Sequence, residues 1–71
     1  MAETVDARGL SCPQPVLDAL AAMARLGAGT LEVLVDTEAS KENVSRAAAS
    51  KGWAVQVQDG AAGEYRLILS K

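Results

Sequence analysis

Apolar positions along the chain switch between a spacing of two and a spacing of three to four residues, and each switch marks an element boundary. The clearest strand is Thr30-Leu31-Glu32-Val33-Leu34-Val35. Leu31, Val33 and Val35 form one apolar face, and Leu34 interrupts the polarity of the other, as in a central strand covered mainly on one side. Residues 53–58 (Trp53-Ala54-Val55-Gln56-Val57-Gln58) also alternate, as a half-buried strand does. Residues 59–63 supply a turn, and residues 64–69 return as the last strand, pairing with the previous one as a hairpin. A short first strand is predicted over residues 4–7, followed by a turn at Arg8-Gly9-Leu10-Ser11, where Gly9 can take φ > 0 at no steric cost.

The remaining segments have helical spacing. From Pro13, Val16, Leu17, Leu20, Met23, Ala24 and Leu26 recur at helical intervals until Gly27-Ala28-Gly29. Asp18 early in this helix and Arg25 near its end suit the macrodipole. A second helix over residues 39–51 carries Val44, Ala47 and Ala48 on one side, with Glu38, Lys41, Glu42 and Arg46 elsewhere. Asp36 and Thr37 offer capping oxygens at its start, and Gly52 stands where it ends. The order β-α-β-α-β-β, with two right-handed crossovers, predicts an α/β fold of the α+β two-layer sandwich type. Its mixed four-stranded sheet carries both helices on one face. Residues 1–71 read as a single domain.

Composition narrows what such a domain can do. With Trp53, Tyr65 and no Phe, the core must be built from Leu, Val, Ile and Ala. The net charge is −2, and the basic residues are scattered among acids, which argues against a nucleic-acid-binding face. No apolar stretch is long enough to span a bilayer, and residues 1–4 carry no basic or apolar signal region. A single cysteine excludes an internal disulfide and fits a reducing compartment, so a cytoplasmic domain is expected. One Cys, no His and no clustered carboxylates fall short of a metal site, and no cofactor is expected.

The chemistry that survives centres on Cys12, in the run Ser11-Cys12-Pro13-Gln14-Pro15 at the predicted start of the first helix. A helix start offers free backbone N–H groups and positive dipole, which favour the thiolate, and the thiolate is the form that attacks sulfur. Either Cys12 is the N-cap, leaving the Gln14 N–H as the nearest backbone donor, or Ser11 is the cap and Cys12 moves into the first turn. Pro13 and Pro15 fix φ at two of the three following positions and stiffen the turn. Arg8 is the cation nearest in sequence and a candidate for thiolate stabilisation. Arg8, Leu10 and Gln14 are candidate partner contacts. A lone cysteine is often just a small buried hydrophobe, but a buried filler needs no proline scaffold at a helix start. The fourth position of a thioredoxin-type motif is Pro15, and no histidine exists to form a Cys-His dyad. Gly27-Ala28-Gly29 follows a helix and lacks a third glycine. Gly60-Ala61-Ala62-Gly63 joins two strands, so neither reads as a phosphate or RNA clamp. Ser45, Ser50 and Ser70 read as surface residues, and Asp36 as a cap in preference to an acid catalyst.

The run Val5-Asp6-Ala7-Arg8-Gly9-Leu10-Ser11-Cys12-Pro13-Gln14-Pro15-Val16 resembles the N-terminal signature of the TusA/SirA-like sulfur-carrier family, marked by a CPxP motif at its first helix. The similarity continues through Val35-Asp36, Lys41-Glu42-Asn43-Val44 and the closing strand around Tyr65. Residues 38–44 and 50–53 look closest to the YedF-like branch, associated with sulfur or selenium metabolism. The resemblance implies that Cys12 bears a persulfide, Pro13 and Pro15 shape its turn, Gly9 lets the loop approach the helix, and Asp6 has a structural role. It implies a carrier performing persulfide half-reactions in place of a free-standing enzyme. A cysteine desulfurase or rhodanese would be the donor, and an acceptor protein, DsrE-like among the candidates, would take the sulfur. The competing reading is a non-catalytic regulatory or interaction module with Cys12 as a redox handle. A thiolate poised by a helix start predicts that alkylation of Cys12 followed against pH has a midpoint below the ~8.5 of a free cysteine; a midpoint at or above that value removes the poise.

Overall fold

Alternation in the two central strands decides which side of the sheet is dry. The computed structural model describes residues 2–10, 14–60 and 63–71. Its elements are β1 (Ala2–Asp6), α1 (Gln14–Leu26), β2 (Thr30–Val35), α2 (Glu38–Ser50), β3 (Ala54–Asp59) and β4 (Tyr65–Ser70). The sheet order is β1-β2-β4-β3. β1 runs parallel to β2, and β4 runs antiparallel to both β2 and β3. The register places Val33 opposite Leu67 and Leu31 opposite Leu69, and all four are fully buried with Val35. Both helices cover this face, giving the two-layer α+β sandwich expected from the element order.

The helices approach the sheet through small side chains. Pro15, Ala19, Ala22 and Met23 are the buried residues of α1, while Val16, Leu20 and Leu26 pack partly buried at the flanks. Leu17, which shares the helical spacing, is 51% exposed. In α2 the buried line is Ser40, Val44 and Ala48, at strict intervals of four, with Ala47 only half-buried. Short residues on the facing stripes let the helices lie close to the sheet, so the larger apolar side chains flank the contact.

Caps set the helix ends. Thr37, in extended conformation, caps α2 by accepting the Ser40 N–H at 3.1 Å. Asp36 therefore does not cap; its carboxylate is used elsewhere. At the other end the Gly52 N–H reaches the Ala49 carbonyl at 3.1 Å and the Trp53 N–H reaches the Ala48 carbonyl at 3.0 Å. With Gly52 at φ 85 this is a Schellman termination, and it delivers buried Trp53 against the end of α2. The first strand begins earlier than its sequence suggests, at Ala2, because pairing with β2 starts at Thr30. Ala7 falls just past its end, buried, with its N–H on the Leu34 carbonyl at 2.8 Å. β3 departs furthest from expectation. Trp53 precedes the strand, and of its residues only Val55 is half-buried, while Val57 is 43% exposed. β3 is an edge strand, with a sheet neighbour, β4, on one side only.

Removing the cap tests this helix boundary. Thr37→Ala should lower the unfolding free energy by about 1 kcal/mol in urea denaturation with unchanged m-value, whereas Leu67→Ala, which empties a fully buried site, should lower it by about 2–5 kcal/mol.

Candidate functional site

Parallel pairing of β1 and β2 brings their C-terminal ends to one edge of the sandwich, and antiparallel β4 begins there. The β1–α1 connection, the start of α2 and the start of β4 therefore meet. Cys12, with Ser11 and Pro13, lies outside the described residues, so the site is defined by what holds the chain on either side.

On the near side the connection is a tight turn. The Leu10 N–H faces the Ala7 carbonyl at 3.4 Å, and Gly9 takes φ 78, the left-handed conformation that the third position of a type II turn requires. The Gly9 N–H donates to Asp36 Oδ2 at 2.8 Å. Asp36 thus ties the turn to the end of β2 through the Gly9 N–H, where the sequence suggests a helix cap. Arg8 lies across the same end. Its Nε and Nη2 donate to Asp6 Oδ1 and Oδ2 at 2.9 and 2.8 Å, a two-pronged contact, and its backbone N–H also reaches Asp6 Oδ1 at 3.2 Å. Its Nη1 reaches Glu64 at 3.3 Å. The guanidinium charge is thereby matched by two carboxylates, one at the end of β1 and one just before β4. Arg8 serves the loop's attachment, and its direction toward the thiol is not among the described contacts.

On the far side Pro15 is fully buried in the first turn of α1, where its missing N–H has no partner to lose. Gln14 is exposed and donates from Nε2 to Asp18 Oδ1 at 2.7 Å, one turn along the helix. Leu10 and Gln14, the described residues on either side of the Cys12 segment, are both exposed. Lys41 of α2 holds its ammonium 4.7 Å from the centre of the Tyr65 ring, a cation–π contact at the start of β4.

The sequence alone offered no sign that Glu64 meets Arg8. The two are 56 residues apart and are joined only by strand pairing. Lys41 and Tyr65 stand in the same case, although each falls in a run that resembles the sulfur-carrier family. Among the described residues no group of three or more His, Cys, Asp or Glu could hold a metal ion, and no helix is long and apolar enough to cross a membrane.

The fold and this edge define a class: a small α+β sandwich with a Cys-Pro-Gln-Pro run between β1 and α1, whose entry turn is tied to Asp36 and to Asp6 and Glu64 through Arg8. A family model described as Sulfurtransferase TusA matches residues 3–71, and the chain belongs to this family of sulfur carriers. A protein of Methanocaldococcus jannaschii, named provisionally as a sulfur carrier protein, is 32% identical over 68 residues, covering 94% of this chain and 91% of its own. The crystal structure of a SirA-like protein from Desulfitobacterium hafniense superimposes with a TM-score of 0.91 at 33% identity, covering 96% of this chain and 95% of that one.

The Asp6–Arg8 pair carries a pH signature. The Arg8 side chain, and then its backbone N–H, hold the Asp6 carboxyl at about 2 against an ordinary 3.8. A carboxyl that titrates lower when folded favours the folded chain above pH 3.8, and that contribution disappears as the pH falls toward 2. Asp6→Asn should therefore flatten the loss of thermal stability between roughly pH 4 and 2. The difference should shrink at high salt, since the pair is exposed.

Proposed function

We propose that this protein carries sulfane sulfur as a persulfide on Cys12. The observation that carries the reading is membership of a sulfurtransferase family by a chain whose one thiol sits in the Cys-Pro-Gln-Pro run. In the first half-reaction the Cys12 thiolate attacks the outer sulfur of a donor persulfide. The new S–S bond forms on Cys12 as the donor's S–S bond breaks, and the donor leaves as a thiolate. In the second, an acceptor thiolate attacks the outer sulfur and Cys12 leaves as thiolate. Each step is an exchange at sulfur, with no net oxidation and no general base. This agrees with a chain that has no histidine.

A cysteine desulfurase or a rhodanese fits as donor, and a DsrE-like protein or a small thiol as acceptor. A domain of this size must select them by docking. The Asp36–Gly9 and Arg8 ties support the reading, because a partner can then meet a loop whose entry is already placed. Gly9 allows that entry turn, while Pro13 and Pro15 stiffen the segment around the thiol. Arg8 and Gln14, both exposed, are available to a docked protein.

Incubation with a cysteine desulfurase and cysteine, followed by intact mass measurement, should show a gain of one sulfur atom that is lost on treatment with a reductant. Cys12→Ser should abolish it. No gain with several donors overturns the proposal, as does a Cys12→Ser protein that supports sulfur transfer in cells.

A further inference from the structure

The C-terminal half of α1 borders a concave feature. A groove of about 470 Å³ lies between the C-terminal half of α1, the end of α2 and the last residue of the chain. Its volume falls within the ~300–1,000 Å³ of small-ligand sites. Leu20, Met23 and Trp53 give it an apolar lining, and exposed Ala24 leaves one wall low. Met23 and Trp53 belong to the core, so that lining is rigid. The charged side chains that line it are those of Lys51 and Lys71.

The two lysines are neighbours. Lys71 Nζ donates to the Lys51 carbonyl at 3.3 Å, and the Lys71 stem passes over Gly52. The Lys71 main chain is fixed by two bonds with Gly29, each 3.0 Å. Both lysines therefore stand at one wall of an apolar trough. Lysines beside a helix end also complement its dipole, and that role would be served by either residue at any exposed helix end. It does not call for an apolar groove alongside.

We propose that this groove binds an anionic amphiphile, a carboxylate carrying a linear aliphatic chain, with the head at Lys51 and Lys71 and the chain over Leu20, Met23 and Trp53. Charge complementarity selects the head, and the apolar lining selects the tail. The site is separate from the Cys12 segment. Its lining on α1 begins at Leu20, which lies about 9 Å along the helix from Gln14.

The test uses decanoate below its micellar concentration, read by fluorescence of Trp53, the one tryptophan, and by amide shifts of Leu20 and Met23. Saturable binding is expected. Octanoate should bind roughly tenfold more weakly, as two fewer buried methylenes require. Lys51→Gln with Lys71→Gln should weaken decanoate by about fivefold or more, and Arg46→Gln should not change it. The Cys12→Ser protein should bind as the parent does, so this result and sulfur transfer succeed or fail separately. The proposal is overturned by absence of a saturable response, by equal binding of decyltrimethylammonium, or by an unaffected double lysine variant. An acidic amphipathic peptide that shifts the same residues where decanoate does not also overturns it, and assigns the groove to a protein partner.

Discussion

One apolar face of β2 and β4 is the constraint from which the rest of the molecule follows. Leu31, Val33, Val35, Leu67 and Leu69 are fully buried on it, and a sheet with one dry face must place its covering layer on that side. Two helices answer with stripes of small residues, Ala19 and Ala22 on one and Ser40, Val44 and Ala48 on the other. A slip of one residue would turn Leu31, Val33 and Val35 to solvent if it occurred in β2, and Leu67 and Leu69 if it occurred in β4. The register that puts Val33 against Leu67 is therefore held by packing on both sides.

That register also assembles the polar edge. With β1 parallel to β2 and β4 antiparallel to it, Asp6, Asp36 and Glu64 arrive at the same end from three different strands or their extensions. Three carboxylates together would repel, and Arg8 with the Gly9 N–H supplies the compensating donors. Each contact is exposed and individually weak. Their effect is geometric: the chain leaving β1 is bonded to the ends of β2 and β4 before it reaches Cys12. Pro15, buried in the first turn of α1, fixes the chain beyond.

The opposite end of the sandwich shows how a small core leaves usable surface. The Schellman turn at Gly52 drops Trp53 into the core beside α2. α1 contributes Leu20 and Met23 there, and the two lysines close one side. Polar loop ends at one pole and an apolar trough at the other are both consequences of helices that cover only one face and only part of its length.

Local pattern carried much of this. The strand over residues 30–35, the helix stops at Gly27 and Gly52, the turn at Gly9 and the order of elements were legible because each depends on periodicity or on the φ of a single residue. Cys12 was singled out by its prolines and by the lack of any other soft nucleophile in a chain without histidine. The tertiary structure alone decided that Thr37 and not Asp36 caps α2, that Asp36 reaches Gly9, that Arg8 meets Glu64, and that β3 is left bare at the sheet edge. These outcomes depend on which strands become neighbours. Strand order is a property of the whole packed sheet, and no window of the sequence contains it.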